Sequence, residues 1–209
     1  MTFHLPGVYP LTDLQLSGLS HSEQLSRFAA GGATLVQLRE KNLSGKEFYK
    51  EALRAVEVAR KLNVKLIIND RVDVALAVGA DGVHLGQDDL PPSAARKLLG
   101  DNAIIGYSTH NIAQAQAAIS FPVDYVAVGP IFSTSSKIDT EPALGLERLS
   151  EIRKVLGTTP LVAIGGITAA NAKEVLAAGA DSVAVISGLL TQPIDIADST
   201  SALIASLTR

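Results

Sequence analysis

Eight short apolar runs, most of them followed by a helical pattern, predict an α/β fold for this chain of 209 residues. The runs are rich in Val and Ile, and several lack a polar alternation, which is typical of strands buried on both faces of a parallel sheet. Eight strand–helix units in a chain of this length favour closure into a single (β/α)8 TIM barrel, one domain spanning residues 1–209. An open doubly wound sheet is the alternative.

The elements can be placed in chain order. The predicted strands are Val8–Leu11, Leu35–Leu38, Leu66–Ile68, Val83–Leu85, Ala103–Ile105, Tyr125–Val128, Leu161–Ile164 and Val183–Ile186. Two S-x-x-E capping boxes, Ser20 with Glu23 and Ser44 with Glu47, mark helix starts. The other predicted helices are Val72–Val78, Ser93–Leu99, Ile112–Ile119, Leu146–Leu156, Ala169–Ala178 and one near Ser199–Leu207.

A weak internal repeat supports the barrel. AVGADGVHL at Ala77–Leu85 closely matches AAGADSVAV at Ala177–Val185, and looser copies occupy Ala30–Leu38 and Ser120–Val128. The copies fall on every second predicted strand, and alternate strands fill the same layers of a barrel core. The alternative is that a Gly-Ala-Asp loop is simply a common passage from a helix to a strand.

Composition excludes several classes of protein. The chain has no cysteine, which excludes a disulfide scaffold, a zinc–thiolate site and a cysteine nucleophile, and fits the cytoplasm. A net charge of −3 and few aromatic residues argue against a nucleic-acid partner. Mean hydropathy is +0.26. No apolar run approaches the roughly 20 residues of a membrane span, and the N-terminus has no signal-peptide pattern.

In a TIM barrel the reactive residues stand at the carboxyl ends of the strands. Arg39 and Lys41 follow the second predicted strand and suit a phosphate or diphosphate, although a solvated charge run is the alternative. Asp70 and Asp89 follow the third and fourth strands. Two such carboxylates suit Mg²⁺, whereas either one alone is more often a helix N-cap.

The next two strand ends carry hydroxyl groups. Ser108 follows the fifth strand and can donate to a phosphate or leaving oxygen, although a helix cap is the alternative and no G-x-S-x-G surrounds it. After the sixth strand, four consecutive hydroxyl residues and Lys137 suit phosphate oxygens. They belong to a loop, residues 133–140, that we expect to close over the substrate. The alternative is a flexible solvent loop. His84 and His110 are interpreted as structural histidines.

Glycines follow the last two strands, at Gly165-Gly166 and Gly188, where they let backbone N–H groups approach a phosphate. A phosphate site built from these two loops recurs among barrels. The sequence therefore predicts two anion sites, a charged one with Mg²⁺ and a metal-free one built from backbone. A diphosphate substrate and a phosphate monoester would fill both.

These residues resemble the thiamine-phosphate synthase (thiamine phosphate pyrophosphorylase) family from Tyr9 to Leu190. The motifs that carry the resemblance are TLVQLREK, LIINDRVDVAL, ADGVHLGQDDL, IIGYSTHN, YVAVGPIFSTSSK and VAIGGIT. Enzymes of this family join a hydroxymethylpyrimidine diphosphate to a hydroxyethylthiazole phosphate and release diphosphate. Two departures from the family pattern are Pro10 within the first strand and Ser136 where Thr is more usual.

The resemblance implies a role for each matched residue. The pyrimidine diphosphate side would comprise Gln37, Arg39, Lys41, Asn69, Ser108 and Lys137, with Arg39, Ser108 and Lys137 as the catalytic set. Asp70 and Asp89 would ligate Mg²⁺, with Asp88 a weaker candidate. The thiazole phosphate side would comprise Thr134, Ser135, Ser136, Gly166, Ile186 and Ser187.

The step that the resemblance implies needs no protein nucleophile, because the aminopyrimidine stabilises a positive carbon after diphosphate departs. Three rival functions fit the same fold: a thiazole tautomerase, a phosphate-sensing barrel, and a phosphosugar isomerase with Asp13 as its proton shuttle. The sequence leaves open whether the protein forms a homo-oligomer and whether the thiazole substrate carries an extra carboxylate.

Overall fold

A computed structural model describes residues 4–134, 142–191 and 196–207. Eight parallel strands form a sheet in the order β1-β8-β7-β6-β5-β4-β3-β2, which curls into a nearly closed barrel with helices outside. The predicted barrel is confirmed, and the open sheet is not what forms. The strands are β1 (Val8–Pro10), β2 (Leu35–Leu38), β3 (Lys65–Asn69), β4 (Gly82–Leu85), β5 (Ile104–Thr109), β6 (Tyr125–Val128), β7 (Leu161–Ile164) and β8 (Ser182–Val185).

The helices of the described ranges follow the predicted spacing. They are α1 (Leu14–Ser17), α2 (His21–Ala30), α3 (Gly45–Leu62), α4 (Val72–Val78), α5 (Pro92–Leu99), α6 (Ile112–Ala118), α7 (Gly145–Leu156), α8 (Ala172–Ala177), α9 (Ser187–Leu190) and α10 (Ile196–Leu207). The single-turn helices α1 and α9 were not predicted. Both expected capping boxes form, at Ser20 and Ser44. None of the helices described is long and apolar enough to cross a membrane.

The barrel closes through a narrow contact between its first two strands. Pro10 has no N–H to donate, and β1 pairs only with β8 along its length. The link to β2 forms beyond the proline, where Leu11 bridges Gln37. The N–H of Thr12 also donates to the Gln37 carbonyl at 2.9 Å. The proline therefore shortens the first strand without opening the barrel.

The repeated Gly-Ala-Asp device is structural. The carboxylate of Asp81 accepts the N–H of Leu66, and that of Asp181 accepts the N–H of Leu161, so each aspartate ties the start of its own strand to the neighbouring strand. Asp124, in the looser copy at Ser120–Val128, accepts the N–H of Ile105 in the same way. The repeat therefore positions strands at the amino end of the barrel, opposite the ends that carry the predicted chemistry.

Two layers of apolar side chains hold the barrel. The larger lies between the sheet and the helices and includes Phe28, Val36 and Ile105. The smaller fills the barrel interior, where Tyr9, Tyr125 and neighbouring aliphatic residues meet. This inner layer forms the floor beneath the carboxyl ends of the strands.

Candidate active site

The carboxyl ends of the strands surround a cavity of about 510 Å³. Every predicted ligand residue that the structure describes lines it: Gln37, Arg39, Lys41, Asn69, Asp70, Asp89, Ser108, Thr134, Gly166, Ile186 and Ser187. Ser135, Ser136 and Lys137, with most of the predicted closing loop, lie outside the described residues. Barrel topology thus gathers residues from widely separated parts of the chain into one space.

One side of the rim, the charged half, comprises Arg39, Lys41, Asn69, Asp70 and Asp89. Nη1 of Arg39 donates to the Asp13 carboxylate at 3.0 Å, and both side chains are mostly buried. Lys41 pairs with Asp70 across the ends of β2 and β3. Both cations therefore have protein partners, Arg39 in a mostly buried pair and Lys41 in a pair in which its own side chain stays 45% exposed.

Asp70 and Asp89 are not the helix caps that either one alone suggested. The residue that caps α4 is Arg71, and Pro91 caps α5. Asp70 adopts the left-handed backbone conformation, with φ of 63°. Asp89 accepts the N–H of Gly86 at 2.7 Å inside its own loop. Both carboxylates are thereby turned toward the cavity instead of toward a helix terminus.

Asp70 lies close enough to Asp89 to affect its pKa. Burial, and with it the neighbouring negative charge of Asp70, raises the pKa of Asp89 above its ordinary range. Lys41 partly offsets this effect. Mg²⁺ takes oxygen ligands and is commonly held by one or two carboxylates plus substrate phosphates and water. Over the described residues, no cluster of three His, Cys, Asp or Glu side chains forms a metal site.

A buried hydrogen-bond network supports the charged half from below. His21 lies between the hydroxyl of Thr12, 2.7 Å from its Nδ1, and the carboxylate of Glu40, 3.3 Å from its Nε2. Glu40 accepts the N–H groups of the next three residues, including that of Lys41 at 2.7 Å. Burial lowers the pKa of His21, although Glu40 acts in the opposite direction. A neutral His21 therefore fixes the turn that carries Lys41.

The floor of the cavity is polar at a few atoms only. The hydroxyls of Tyr9 and Tyr125 lie 3.0 Å apart, and Nε2 of Gln37 donates to Tyr9. Nδ1 of His84 lies 3.0 Å from the Tyr125 hydroxyl, and its Nε2 lies 2.8 Å from Oγ of Ser108. Burial raises the pKa of both tyrosines well above the ordinary range, so both remain phenols at neutral pH.

The opposite side of the rim, the glycine half, comprises Gly165, Gly166, Ile186 and Ser187. Gly165 and Gly166 have φ of 102° and 64°, which disfavours any side chain. An added Cβ would lie 2.5 Å from Pro130 at the first position and 2.7 Å from Phe132 at the second. Backbone after β6 therefore packs directly on these glycines, leaving main-chain atoms to face the cavity.

The hydrogen-bond partners of His110, Ser108 and Asp13 test the roles that the sequence suggested for them. Nδ1 of His110 bonds the Gly129 carbonyl at 2.7 Å, which agrees with its structural interpretation. Ser108 lies within β5 and does not cap α6, because Asn111 does so. Asp13 caps α1 and pairs with Arg39, so the proton shuttle expected of an isomerase is engaged twice.

Several residues of the site were not found from the sequence. Tyr9, Tyr125 and His84 join Gln37 to Ser108, and Asn171 donates to the Gly166 carbonyl at 3.0 Å. The available signal was a polar tip on a side chain inside a buried strand, because such a group requires a hydrogen-bond partner. Asn171 offered no signal, since its contact depends on the fold of the loop after β7.

Together, the barrel and its rim define a class: a (β/α)8-barrel protein whose cavity joins the charged half of the rim to the glycine half. A family model described as thiamine monophosphate synthase matches residues 8–189. The chain therefore belongs to the thiamine monophosphate synthase family, a family of transferases.

Relatives and a solved structure agree with this assignment. The thiamine-phosphate synthase of Chloroflexus aurantiacus is 48% identical over 184 residues, covering 88% of this chain and 84% of the relative. That of Clostridium novyi is 50% identical over 184 residues, covering 88% and 90%. The thiamine phosphate pyrophosphorylase structure from Pyrococcus furiosus is 36% identical, has a TM-score of 0.85, and covers 96% of this chain and 94% of that chain.

Proposed function

We propose that this chain condenses 4-amino-2-methyl-5-hydroxymethylpyrimidine diphosphate with 4-methyl-5-(2-hydroxyethyl)thiazole phosphate, or its carboxylated form, to give thiamine phosphate and diphosphate. The observation that carries the proposal is the meeting of the charged half and the glycine half in one cavity. Two phosphorylated substrates need two anion sites, placed so that the reacting carbon of one and the nitrogen of the other come within bonding distance. The family assignment supports the same reaction.

The charged half binds the diphosphate. Arg39 offers a planar fork of N–H donors, and Lys41 adds a compact positive charge. Asn69, buried at the end of β3, contributes its side-chain amide. In this proposal Lys137 joins them from the loop after β6. The pairing of Arg39 with Asp13 holds the guanidinium in place before substrate arrives.

Asp70 and Asp89 fit a bound Mg²⁺. Their carboxylates are close enough that Asp70 raises the pKa of Asp89, and a divalent cation between them would remove that repulsion. When bound, Mg²⁺ would neutralise charge that develops on the diphosphate oxygens. Lys41 already neutralises part of the charge on Asp70.

The glycine half binds the phosphate of the thiazole substrate. Backbone N–H groups near Gly166, Ile186 and Ser187 suit the three oxygens of a phosphate monoester. Asn171 holds the Gly166 carbonyl and so fixes the local peptide orientation. We infer that Thr134, Ser135 and Ser136 line the junction between the two substrates. Thr134 is at the cavity wall.

Positioning and electrostatic stabilisation account for the chemistry. The bond between the methylene carbon of the pyrimidine and the diphosphate oxygen breaks first, and the pyrimidine amino group stabilises the cationic carbon. The thiazole nitrogen then forms the new C–N bond with that carbon. Gln37 orients the pyrimidine, and Ser108 lies beside the departing oxygen. Preorganised donors of this kind contribute several kcal/mol of barrier reduction.

Diphosphate release tests the proposal. Purified protein is mixed with both substrates and Mg²⁺, with EDTA and single-substrate mixtures as controls. We expect release that needs both substrates and the metal, with thiamine phosphate formed in equal amount. Binding of the thiazole phosphate without release of diphosphate would overturn the proposed synthase function and would instead favour a thiazole tautomerase or a phosphate sensor.

A further inference from the structure

A continuous chain of hydrogen bonds crosses the barrel interior, and the proposed reaction assigns no role to its middle. We call it the relay, and its members in order are Gln37, Tyr9, Tyr125, His84 and Ser108. Successive polar atoms lie 3.1, 3.0, 3.0 and 2.8 Å apart. The two end residues line the cavity, where they face the pyrimidine and the leaving oxygen of the proposed reaction, and Tyr9 and His84 also reach its wall. The three middle members, Tyr9, Tyr125 and His84, are buried.

The relay has a direction because each phenol carries one proton. Nε2 of Gln37 only donates, so the Tyr9 oxygen accepts from it and passes its own proton toward Tyr125. In that direction Tyr125 donates to Nδ1 of His84, which lies 3.0 Å from the Tyr125 hydroxyl. A neutral imidazole with an accepting Nδ1 carries its proton on Nε2, which donates to Oγ of Ser108. A Gln37 amide turned the other way would reverse every step.

Gly106 provides an independent sign that the sequence makes room for the relay. A Cβ at this position would lie 2.4 Å from the Tyr125 hydroxyl and 2.5 Å from Nδ1 of His84. Gly106 sits inside β5, paired with His84 on one side and Tyr125 on the other. Glycine weakens a strand interior and needs a reason there. Here the hydrogen bond between His84 and Tyr125 occupies the space of the missing side chain.

Ring packing holds the middle of the relay rigidly. The His84 and Tyr125 rings stack with centroids 5.5 Å apart and an interplanar angle of 21°. Tyr9 meets Tyr125 edge to face, with centroids 6.0 Å apart. Such pairs are favourable beyond the apolar area that they bury. Rotation of either hydroxyl away from its partner would leave a buried polar atom unsatisfied, which is costly.

We propose that the relay aims the Ser108 hydroxyl proton into the cavity, where it donates to the diphosphate oxygen that leaves the pyrimidine. In this proposal Tyr9, Tyr125 and His84 are positioning residues, because they act through their hydrogen bonds to Gln37 and Ser108. The same relay orients the Gln37 amide, so the group that binds the pyrimidine and the group beside the breaking bond are set together. This inference rests on the proposed function for the identity of the substrate. The hydrogen-bond geometry of the relay is that of the protein without substrate.

The physical reason lies in the single proton of a serine hydroxyl. Without a fixed donor, Ser108 can rotate and accept from a substrate atom as readily as it donates. An Nε2–H that donates to Oγ occupies a lone pair of that oxygen and directs the hydroxyl proton elsewhere. Donors fixed before the reaction need no reorganisation when charge develops on the leaving group.

The first test needs no substrate. Protein labelled with ¹⁵N-histidine is examined by NMR, and the His84 signals are assigned with the variant His84→Gln. We expect the Nε2–H tautomer in the wild type and loss of that preference in Tyr125→Phe. A proton on Nδ1 of His84 in the wild type would mean that the relay runs the other way, and the proposal would fail.

The second test is kinetic. In Tyr125→Phe and in Tyr9→Phe we expect kcat for diphosphate release to fall about tenfold, the effect of one lost hydrogen bond to a polar network. The KM for the thiazole phosphate should stay unchanged, since that substrate contacts the glycine half. Tyr49→Phe removes a hydroxyl from the outer face of α3 and is the matched control, with kcat unchanged. The second variant keeps the test open if the first does not fold.

The two tests separate this inference from the proposed function. The expected tautomer with unchanged kcat in both variants would overturn the catalytic role of the relay. Wild-type protein that forms no thiamine phosphate, yet shows the expected tautomer, would overturn the proposed function and with it the leaving-group role, while the direction of the relay would stand.

Discussion

The charged half and the glycine half of the rim differ in construction, and the proposed function gives each of them a different anion. In the charged half, side chains from β2 to β4 carry formal charge and are paired with one another, as Lys41 is with Asp70. In the glycine half, close backbone packing excludes side chains, and Gly166 has φ of 64°. A departing diphosphate gains negative charge during the reaction, whereas a bound phosphate monoester does not. In the proposed function, formal charge and Mg²⁺ would therefore be concentrated where charge changes, and neutral backbone would suffice elsewhere.

The largest effect should follow from removing a metal ligand in the charged half. In Asp89→Ala we expect Mg²⁺-dependent turnover to fall about 1,000-fold, the usual loss for a group that stabilises developing charge. Binding of the thiazole phosphate, measured by calorimetry, should remain. Asp101→Ala removes an exposed carboxylate after α5 and serves as the control. Unchanged turnover in Asp89→Ala would exclude Asp89 from the metal site.

A smaller effect should follow from keeping the positive charge at Arg39 and changing the shape of the group that carries it. Arg39→Lys preserves one positive charge but loses the planar fork and its hydrogen bond to Asp13. We expect the KM for the pyrimidine diphosphate to rise about tenfold to a hundredfold, with the KM for the thiazole phosphate unaltered. Arg148→Lys changes an exposed ion pair on α7 and is the control. Equal rises in both KM values would show that the two halves are not independent.

The glycine half can be tested with a matched pair of glycines. Gly166→Ala places a methyl group 2.7 Å from Phe132 at a φ of 64°, whereas Gly18→Ala meets nothing within 4 Å at a φ of 68°. Both variants carry backbone strain of about 1–2 kcal/mol, visible as a lower Tm. Only Gly166→Ala should also raise the KM for the thiazole phosphate, by about tenfold for 1.4 kcal/mol. The same rise in Gly18→Ala would mean that general destabilisation is responsible.

The smallest effect concerns the support beneath the charged half. Burial lowers the pKa of His21 below its ordinary value of 6.5. The unfolded chain therefore binds a proton that the folded chain resists, and stability is lost as pH falls below that value. Glu40, whose pKa is also lowered, adds a further loss nearer its ordinary value of 4.5. Between about pH 7.5 and 5.5 we expect His21 to lower Tm by about 3 °C.

Variants separate the histidine contribution from the rest. His21→Gln removes the titrating ring and should flatten the dependence of Tm on pH in the upper part of that range. His4→Gln removes an exposed histidine and should leave the dependence unchanged. A dependence that survives in His21→Gln would assign the titration to another group. Turnover near neutral pH is a weaker readout, because His21 contacts no substrate.

Much of the fold could be predicted because buried parallel strands leave a strong apolar signal. The run Tyr125–Val128 coincides with β6, whereas β5 extends four residues past its predicted end, to Thr109. Polar residues of β5 face the cavity, so its apolar pattern stops before the strand does. The single turns α1 and α9 are too short to show a periodicity.

The residues of the candidate site could be predicted from their chemical type and strand-end position, but the contacts between them could not. Strand-end position indicated Arg39, Asp70 and Asp89, because barrel topology brings strand ends together. The bond between Tyr9 and Tyr125 joins residues 116 positions apart, and no local pattern reveals such a pair. The left-handed backbone of Asp70, which turns its carboxylate away from a capping position, is likewise a product of tertiary packing.

The narrow joint between β1 and β2 has a consequence for how the molecule opens. The backbone of Leu11 and Thr12 is tied to β2 through Gln37, and the Thr12 hydroxyl also accepts the N–H of Arg39. Few backbone bonds must therefore break for the two strands to separate there. The main chain of Gln37 closes this seam, and its side chain begins the relay that reaches Ser108. A ligand that binds Gln37 therefore stabilises the folded molecule at the narrow contact where the barrel closes.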